Sequence, residues 1–376
     1  MRAVLLVLLL AAVISGVLYR SWIDAQVRTV GVLALTGKIP VLAWTTRQLT
    51  DTPRIRDGLV ADVPTTVYRP GGGNHWPALV FLNGITARGR HHPEVERLAD
   101  ALARVGFLVL VPDPPGLARG EITDRTLSAT IGVVRAAADR RDAAGGQVGL
   151  VGVSIGASLS LLAAEQPSLA NRITLVAGIA PYTDLENVVR LATTGYALEA
   201  GQLVRYATTS FLSLVIGRSL VAALPESGER SRLLADLLRL HEGSPDPLAL
   251  FRRLDPDQVA VPARPVVRLL ANRDPARFDR LYAALPPDFR ASIVLLSPLA
   301  GAARLHAPVE IASAPQDKYF PLGETRALAR AARHSRVSLT VTSTLHHAVP
   351  HFSLSDLADL FRFDGWAVRS LRGLRR

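Results

Sequence analysis

Five residues, Gly152-Val153-Ser154-Ile155-Gly156, limit what this chain can fold into more than any other stretch. Before them, Val148 to Val153 is a short apolar run rich in β-branched residues, the pattern of a buried strand. After them, from Ala157, an Ala- and Leu-rich segment without Pro or interior Gly predicts a helix. A strand that turns straight into a helix holds its central residue in strained backbone geometry. Glycines two before and two after that residue let the chains pass without a Cβ collision. The Ser154 hydroxyl then sits at the carboxyl edge of a sheet, near the positive end of a helix. The same five letters occur in ordinary glycine-rich turns of other α/β proteins. With both flanking elements in place, they point to a nucleophile.

Around this stretch, strands and helices alternate. Leu59 to Tyr68 reads as a strand that stops at Arg69-Pro70-Gly71-Gly72-Gly73. Pro77 to Leu82 is a buried strand leading into Asn83-Gly84-Ile85, and Pro93 to Val105 is a helix closed by Gly106. Phe107 to Val111 is a strand, Thr126 to Arg141 a helix, and Ile173 to Val176 a strand. This rhythm predicts an α/β fold, a mostly parallel sheet with helices on both faces. At Leu185 the rhythm stops, and residues 185–300 read as a mostly helical cap or lid inserted over the sheet edge. It resumes with a strand at Val309 to Ala312, a helix over Glu324 to Arg333 and a strand at Val337 to Val341. A basic amphipathic helix from Ser353 to about Leu371 ends the chain.

The amino terminus is of another kind. Ala3 to Tyr19 is apolar apart from Ser15 and Gly16 and is flanked by Arg2 and Arg20, which reaches the lower limit for a bilayer span. No clean small-residue cleavage site with a polar start follows, so an uncleaved single-pass anchor is favoured over a signal peptide. A bacterial-type inner membrane is the expected location, with the side left open. Thr29 to Thr46, broken by Gly37-Lys38 and Pro40, reads as an interfacial or domain-packing stretch. The expected division is therefore anchor or signal 1–25, juxtamembrane segment 26–58, core 59–184, cap 185–300 and core 301–376.

Composition closes some routes. The chain has no cysteine, which excludes disulfides, thiolate metal sites and thiol catalysis. The net charge of +11 rests on scattered arginines with no recognisable nucleic-acid module, so an anionic membrane surface is a better match than nucleic acid.

A serine hydroxyl needs an oriented base. Asp317, in the loop after the strand Val309 to Ala312, stands where an orienting acid is required, and Asp184 is the alternative. Its bland reading is a turn aspartate capping backbone amides. Past the next strand, His346, His347 and His351 fall within six residues. No carboxylate or second cluster with ligand spacing accompanies them, so no metal site is expected. The N–H of Ile155, with that of Ile85 or Gly84, would stabilise an oxyanion.

From about Leu59 to the end, cap excluded, the chain resembles the α/β-hydrolase superfamily, within it the capped esterases and dienelactone-hydrolase-like members. The resemblance implies Ser154 as nucleophile, Asp317 as acid, His347 as base and no cofactor. Two departures stand out: Asn83-Gly84 where many members have His-Gly, and His346 where many have glycine or aspartate. His346 therefore stays as an alternative base. The function this implies is a membrane-associated serine hydrolase that cleaves a small, hydrophobic carboxylic ester through an acyl-enzyme. An acyltransferase or thioesterase would use the same triad, and a membrane-tethered binding protein could keep the fold without the chemistry.

Overall fold

The computed structural model describes residues 2–37, 40–207, 209–347, 349–350 and 357–375, with side chains described from Tyr19 on except at 349 and 350. Short apolar runs set the strands. They are β1 (Arg54–Val60), β2 (Val63–Arg69), β3 (Trp76–Leu82), β4 (Leu108–Pro112), β5 (Ala143–Val153) and β6 (Ile173–Ile179). A small hairpin follows, β7 (Tyr196–Glu199) and β8 (Gln202–Arg205), and then β9 (Val309–Ser313) and β10 (Val337–Val341). Eight of these form one sheet in the order β1-β2-β4-β3-β5-β6-β9-β10. The β1-β2 and β2-β4 pairs are antiparallel, and every pair from β4 to β10 is parallel.

The central strands are apolar on both faces because helices cover both. Along β3, Ala78, Val80 and Leu82 belong to one buried cluster while Leu79 and Phe81 belong to another, as a two-residue side-chain period requires. The first face receives α4 (Asp124–Ala138) and α5 (Ile155–Ala164) through Leu127, Val134 and Leu159. The second face receives α3 (Pro93–Arg104) and the C-terminal helix Leu357–Gly373 through Val95, Leu102, Trp366 and Leu371. Each fully buried Leu or Phe here contributes roughly 1.5–3 kcal/mol.

The topology fixes where a site can lie. The chain leaves β3 for β4 on one side and then crosses to β5 on the other, so the crevice beyond the carboxyl ends of β3 and β5 is the switch point. The Asn83-Gly84-Ile85 loop and Ser154 both stand at that crevice.

Between β6 and β9 the chain inserts α6 (Leu185–Thr194), the β7–β8 hairpin, α7 (Ser210–Ala222) and further helices, among them Gly228–Leu238, Arg264–Ala271 and Pro287–Leu295. Leu212, Phe251, Val266 and Phe278 of this insertion share the buried cluster that covers the α4–α5 face. The insertion and the sheet have one core.

Three readings of the sequence change. The single strand expected over Leu59 to Tyr68 is the second half of a hairpin, turned by Ala61 and Asp62 at φ 48° and 61°. No glycine or asparagine marks that two-residue turn, so its signal was absent. The hairpin β7–β8 was likewise unforeseen within a stretch read as helical. The anchor and juxtamembrane stretch are not separate pieces: α1 (Arg2–Thr36) is one helix, followed by α2 (Pro40–Leu49). Val32, Leu35 and Ala43 of this pair pack on the second face of the sheet. The side chains of residues 3–18, most of the expected anchor, lie outside the described residues. Among the described residues, no helix is long and apolar enough to cross a membrane. The expected start of the last helix at Ser353 also lies outside them.

Candidate active site

Ser154 occupies the turn between β5 and α5 with φ 54° and ψ −125°, a conformation that side-chain-bearing residues rarely adopt. What holds it there is the closeness of the surrounding backbone. A Cβ at Gly152 would collide with the backbone of Ala157, and one at Gly156 with the carbonyl oxygens of Leu82 and Asn83. The Ser154 N–H donates to the Ile179 carbonyl at 2.7 Å, tying the turn to the neighbouring strand.

A histidine reaches this serine from the far end of the sheet. His347 follows β10, sits at φ 58° and is buried, with its Nε2 2.9 Å from Ser154 Oγ. Its Nδ1 lies 2.9 and 2.8 Å from the two carboxylate oxygens of Asp317. Asp317, also buried, is in the loop after β9, and its Oδ1 accepts from the backbone N–H groups of Tyr319 and Phe320 at 2.8 and 3.1 Å. The capping interaction that was its bland reading is therefore present alongside the histidine contact. The rings of Tyr319 and Phe320 stand edge-on to the His347 imidazole, with centroids 4.4 and 5.7 Å away.

The alternatives lie elsewhere. Asp184 caps α6, accepting from Glu186 and Asn187 N–H groups at 3.1 and 3.3 Å. His346 is exposed, on the short strand Leu345–His346. His351 lies outside the described residues. Among those described, no group of three His, Asp or Glu side chains is arranged to hold a metal ion.

On the other side of Ser154, a Cβ at Gly84 would come within 3.4 Å of Ser154 Cβ, so this loop passes close to the serine. Buried Asn83 donates through Nδ2 to the Gly84 carbonyl at 3.0 Å. In a trans peptide the N–H points opposite to the carbonyl, so this bond also fixes the direction of the Ile85 N–H. Ile155 contributes the first N–H of α5.

Two further groups carry no signal in the sequence. Tyr206, in the insertion, donates its hydroxyl to the Asp317 carbonyl oxygen, and burial pushes that phenol's pKa up. Glu324, in the first turn of the helix after the acid loop, is buried and accepts from the Thr183 N–H at 3.0 Å and Asn187 Nδ2 at 3.0 Å. Burial pushes its carboxyl up to about 8. Nothing in local pattern marks either residue, because each acts across more than a hundred positions of chain.

The model of the family described as alpha/beta hydrolase fold matches residues 77–344, well over half of the chain. No curated protein matches the sequence significantly. Among solved structures, the chain is similar to the acylaminoacyl peptidase of Pyrococcus horikoshii, with 11% identity and a TM-score of 0.47. That likeness covers 80% of this chain and 38% of the peptidase, so the chain spans about two fifths of the peptidase's length. It is also similar to Est1E from Butyrivibrio proteoclasticus, with 12% identity, a TM-score of 0.45 and coverage of 85% and 99% of the two chains. A third similar structure is the esterase Pf2001 of Pyrococcus furiosus, with 12% identity, a TM-score of 0.44 and coverage of 86% and 90%. On the sequence match, with the elbow and the sheet order beside it, this chain belongs to the alpha/beta hydrolase fold family.

Proposed function

We propose that the chain is a membrane-associated serine hydrolase that cleaves carboxylic esters through an acyl-enzyme. The observation that carries this reading is the unbroken run Asp317–His347–Ser154, with 2.8 Å and 2.9 Å between successive groups. Asp317 holds the imidazole so that Nδ1 keeps its proton and Nε2 is free to accept the one on Ser154 Oγ. The alkoxide attacks the ester carbonyl, and the N–H groups of Ile155 and of Ile85 or Gly84 receive the developing oxyanion. The imidazolium then protonates the leaving alcohol, and water repeats the sequence on the acyl-enzyme. Phe211 packs edge-on to Tyr319, which in turn packs on His347, so the base has an aromatic surround. That surround supports a hydrophobic acyl group. The apolar segment Ala3 to Tyr19 supports the membrane association.

The test is hydrolysis of p-nitrophenyl esters of increasing chain length, with Ser154→Ala, His347→Ala and His346→Ala alongside. Activity that vanishes with the first two and survives the third is the expected result. A folded parent that is inert to every ester and to a fluorophosphonate would sink the reading.

A further inference from the structure

We infer that the α1–α2 pair carries a docking face for an anionic lipid bilayer, separate from the apolar segment at the start of α1. This inference rests on the membrane part of the proposed function and names the surface involved. It requires no helix to cross the bilayer.

Beyond residue 18, a helix that only tethered the domain would turn a polar side to water. This one does not. Tyr19, Trp22, Ile23, Val27 and Val30 recur at three- and four-residue intervals, so they share one face of α1, and all five are exposed. Val27 is 66% exposed and Trp22 47%. Ala25, Thr29, Val32 and Leu35 on the other side are buried against the domain, so the orientation of the helix is fixed by packing. The stripe therefore faces outward by construction.

The neighbouring helix α2 also exposes apolar side chains. A Cβ at Gly31 of α1 would lie 3.4 Å from Thr46 Cγ2, so α2 packs against α1. There Val41, Leu42, Trp44 and Leu49 are exposed, Trp44 at 64% and Leu49 at 80%. Scattered exposed apolar residues are ordinary, but nine of them on two touching helices are a concentration that points to an interaction site.

Three features select lipid as the occupant. Tyr19, Trp22 and Trp44 are the residue types that settle at the headgroup level, with an apolar ring and a polar edge. Between residues 19 and 50 the sequence carries four basic residues, Arg20, Arg28, Lys38 and Arg47, and one acid, Asp24. That imbalance complements anionic headgroups. Asp24 itself is held by Arg28 at 3.0 Å and by Arg375. Finally, the stripe is carried on the same helix as the apolar sequence 3–18. The face lies in the headgroup and acyl boundary as amphipathic helices do.

The chain has four tryptophans, of which Trp76 and Trp366 are buried and Trp22 and Trp44 are exposed, so fluorescence reports on this face. Full-length protein would be mixed with vesicles of phosphatidylcholine and phosphatidylglycerol carrying brominated acyl chains. The expected results are flotation with the vesicles and quenching that persists in Trp22→Phe and falls further when Trp44→Phe is added. Val41→Asp with Trp44→Asp is expected to weaken vesicle binding by about tenfold or more. Hydrolysis of a soluble ester by that variant serves as the check that it folds. If the protein floats but Trp44 is never quenched, the apolar segment alone binds and the docking face is wrong. If the protein does not float at all, the membrane reading itself fails. Equal binding to vesicles of phosphatidylcholine alone removes the anionic preference. A lipid-free dimer that the aspartates dissolve assigns the face to a second copy of the chain instead.

Discussion

Replacing Asp317 with asparagine tests the proposed mechanism without dismantling the site. Asp317 Oδ1 accepts from two backbone N–H groups, those of Tyr319 and Phe320. In the variant, the amide oxygen must take that position, since an NH2 group there would face two donors. The NH2 group is then left at the Oδ2 position, 2.8 Å from His347 Nδ1. A donor at that place forces Nδ1 to become an acceptor, and the proton moves to Nε2. Nε2–H would then point at Ser154 Oγ, 2.9 Å away, and could not take its proton. The size measured for a wrong-tautomer triad is about 10⁴-fold in kcat, or about 5 kcal/mol of barrier. The two backbone bonds survive, so the melting temperature should stay within about 4 °C of the parent. Steady-state p-nitrophenyl ester kinetics and a thermal melt, run on the same preparation, read both quantities. Retention of a tenth or more of the parent kcat by a folded Asp317→Asn would refute the assignment of Asp317 as the orienting group.

Gly156→Ala places a methyl group against the carbonyl oxygens of Leu82 and Asn83, neither of which can move without displacing β3. The expected cost is more than about 3 kcal/mol, read as lost soluble yield or a lowered denaturation midpoint. Tyr206→Phe removes the hydroxyl that donates to the Asp317 carbonyl. One such bond is worth about 0.5–1.5 kcal/mol, so kcat should fall by up to roughly tenfold with KM little changed, and an unchanged kcat would show that the acid loop holds itself. Glu165 is buried at the end of α5, 3.6 Å from Arg304, and burial pushes its carboxyl up to about 8. The folded state then holds a proton that the unfolded chain releases near its ordinary value, so stability should decline as pH rises from about 4.5 to 8. Glu165→Gln should flatten urea-derived stability over that window by up to about 1.4 kcal/mol per pH unit, and an unaltered slope would contradict the raised value.

How much of this was legible in the sequence depended on range. The elbow was legible because its two glycines, its strand and its helix lie within a few residues, and the steric reason for each glycine is local. The parallel sheet was legible because buried strands leave continuous apolar runs, as in β4 and β9, whose residues are all buried. The hairpin of β1 and β2 was missed for a local reason: Ala61 and Asp62 adopt left-handed conformations without the residues that advertise them. The family resemblance put His347 ahead of His346, but the local residues by themselves did not separate the two. They are neighbours on the chain, and only the positive φ at His347 turns one ring toward Asp317 while the other residue stays exposed.

The insertion is where sequence reasoning stopped, and it is also where the acid loop finds its support. Tyr206 holds the Asp317 carbonyl, Phe211 packs on Tyr319, and the Tyr319 hydroxyl reaches Glu242 at 3.3 Å. Asn187 and the Thr183 N–H converge on Glu324, just past that loop. The Asp317 loop is therefore braced by residues of the insertion, and His347 rests against the rings of Tyr319 and Phe320 in that loop. A roof that only excluded water could be altered without touching the chemistry. Here a displacement of the insertion by even an ångström would be transmitted through Tyr206 and Tyr319 to Asp317, the group that in the proposed mechanism sets the tautomer of His347. The effect would be a loss in kcat before any change in ester binding, since the positions of Ser154 and the Asn83-Gly84-Ile85 loop depend on β3, β5 and α5 instead.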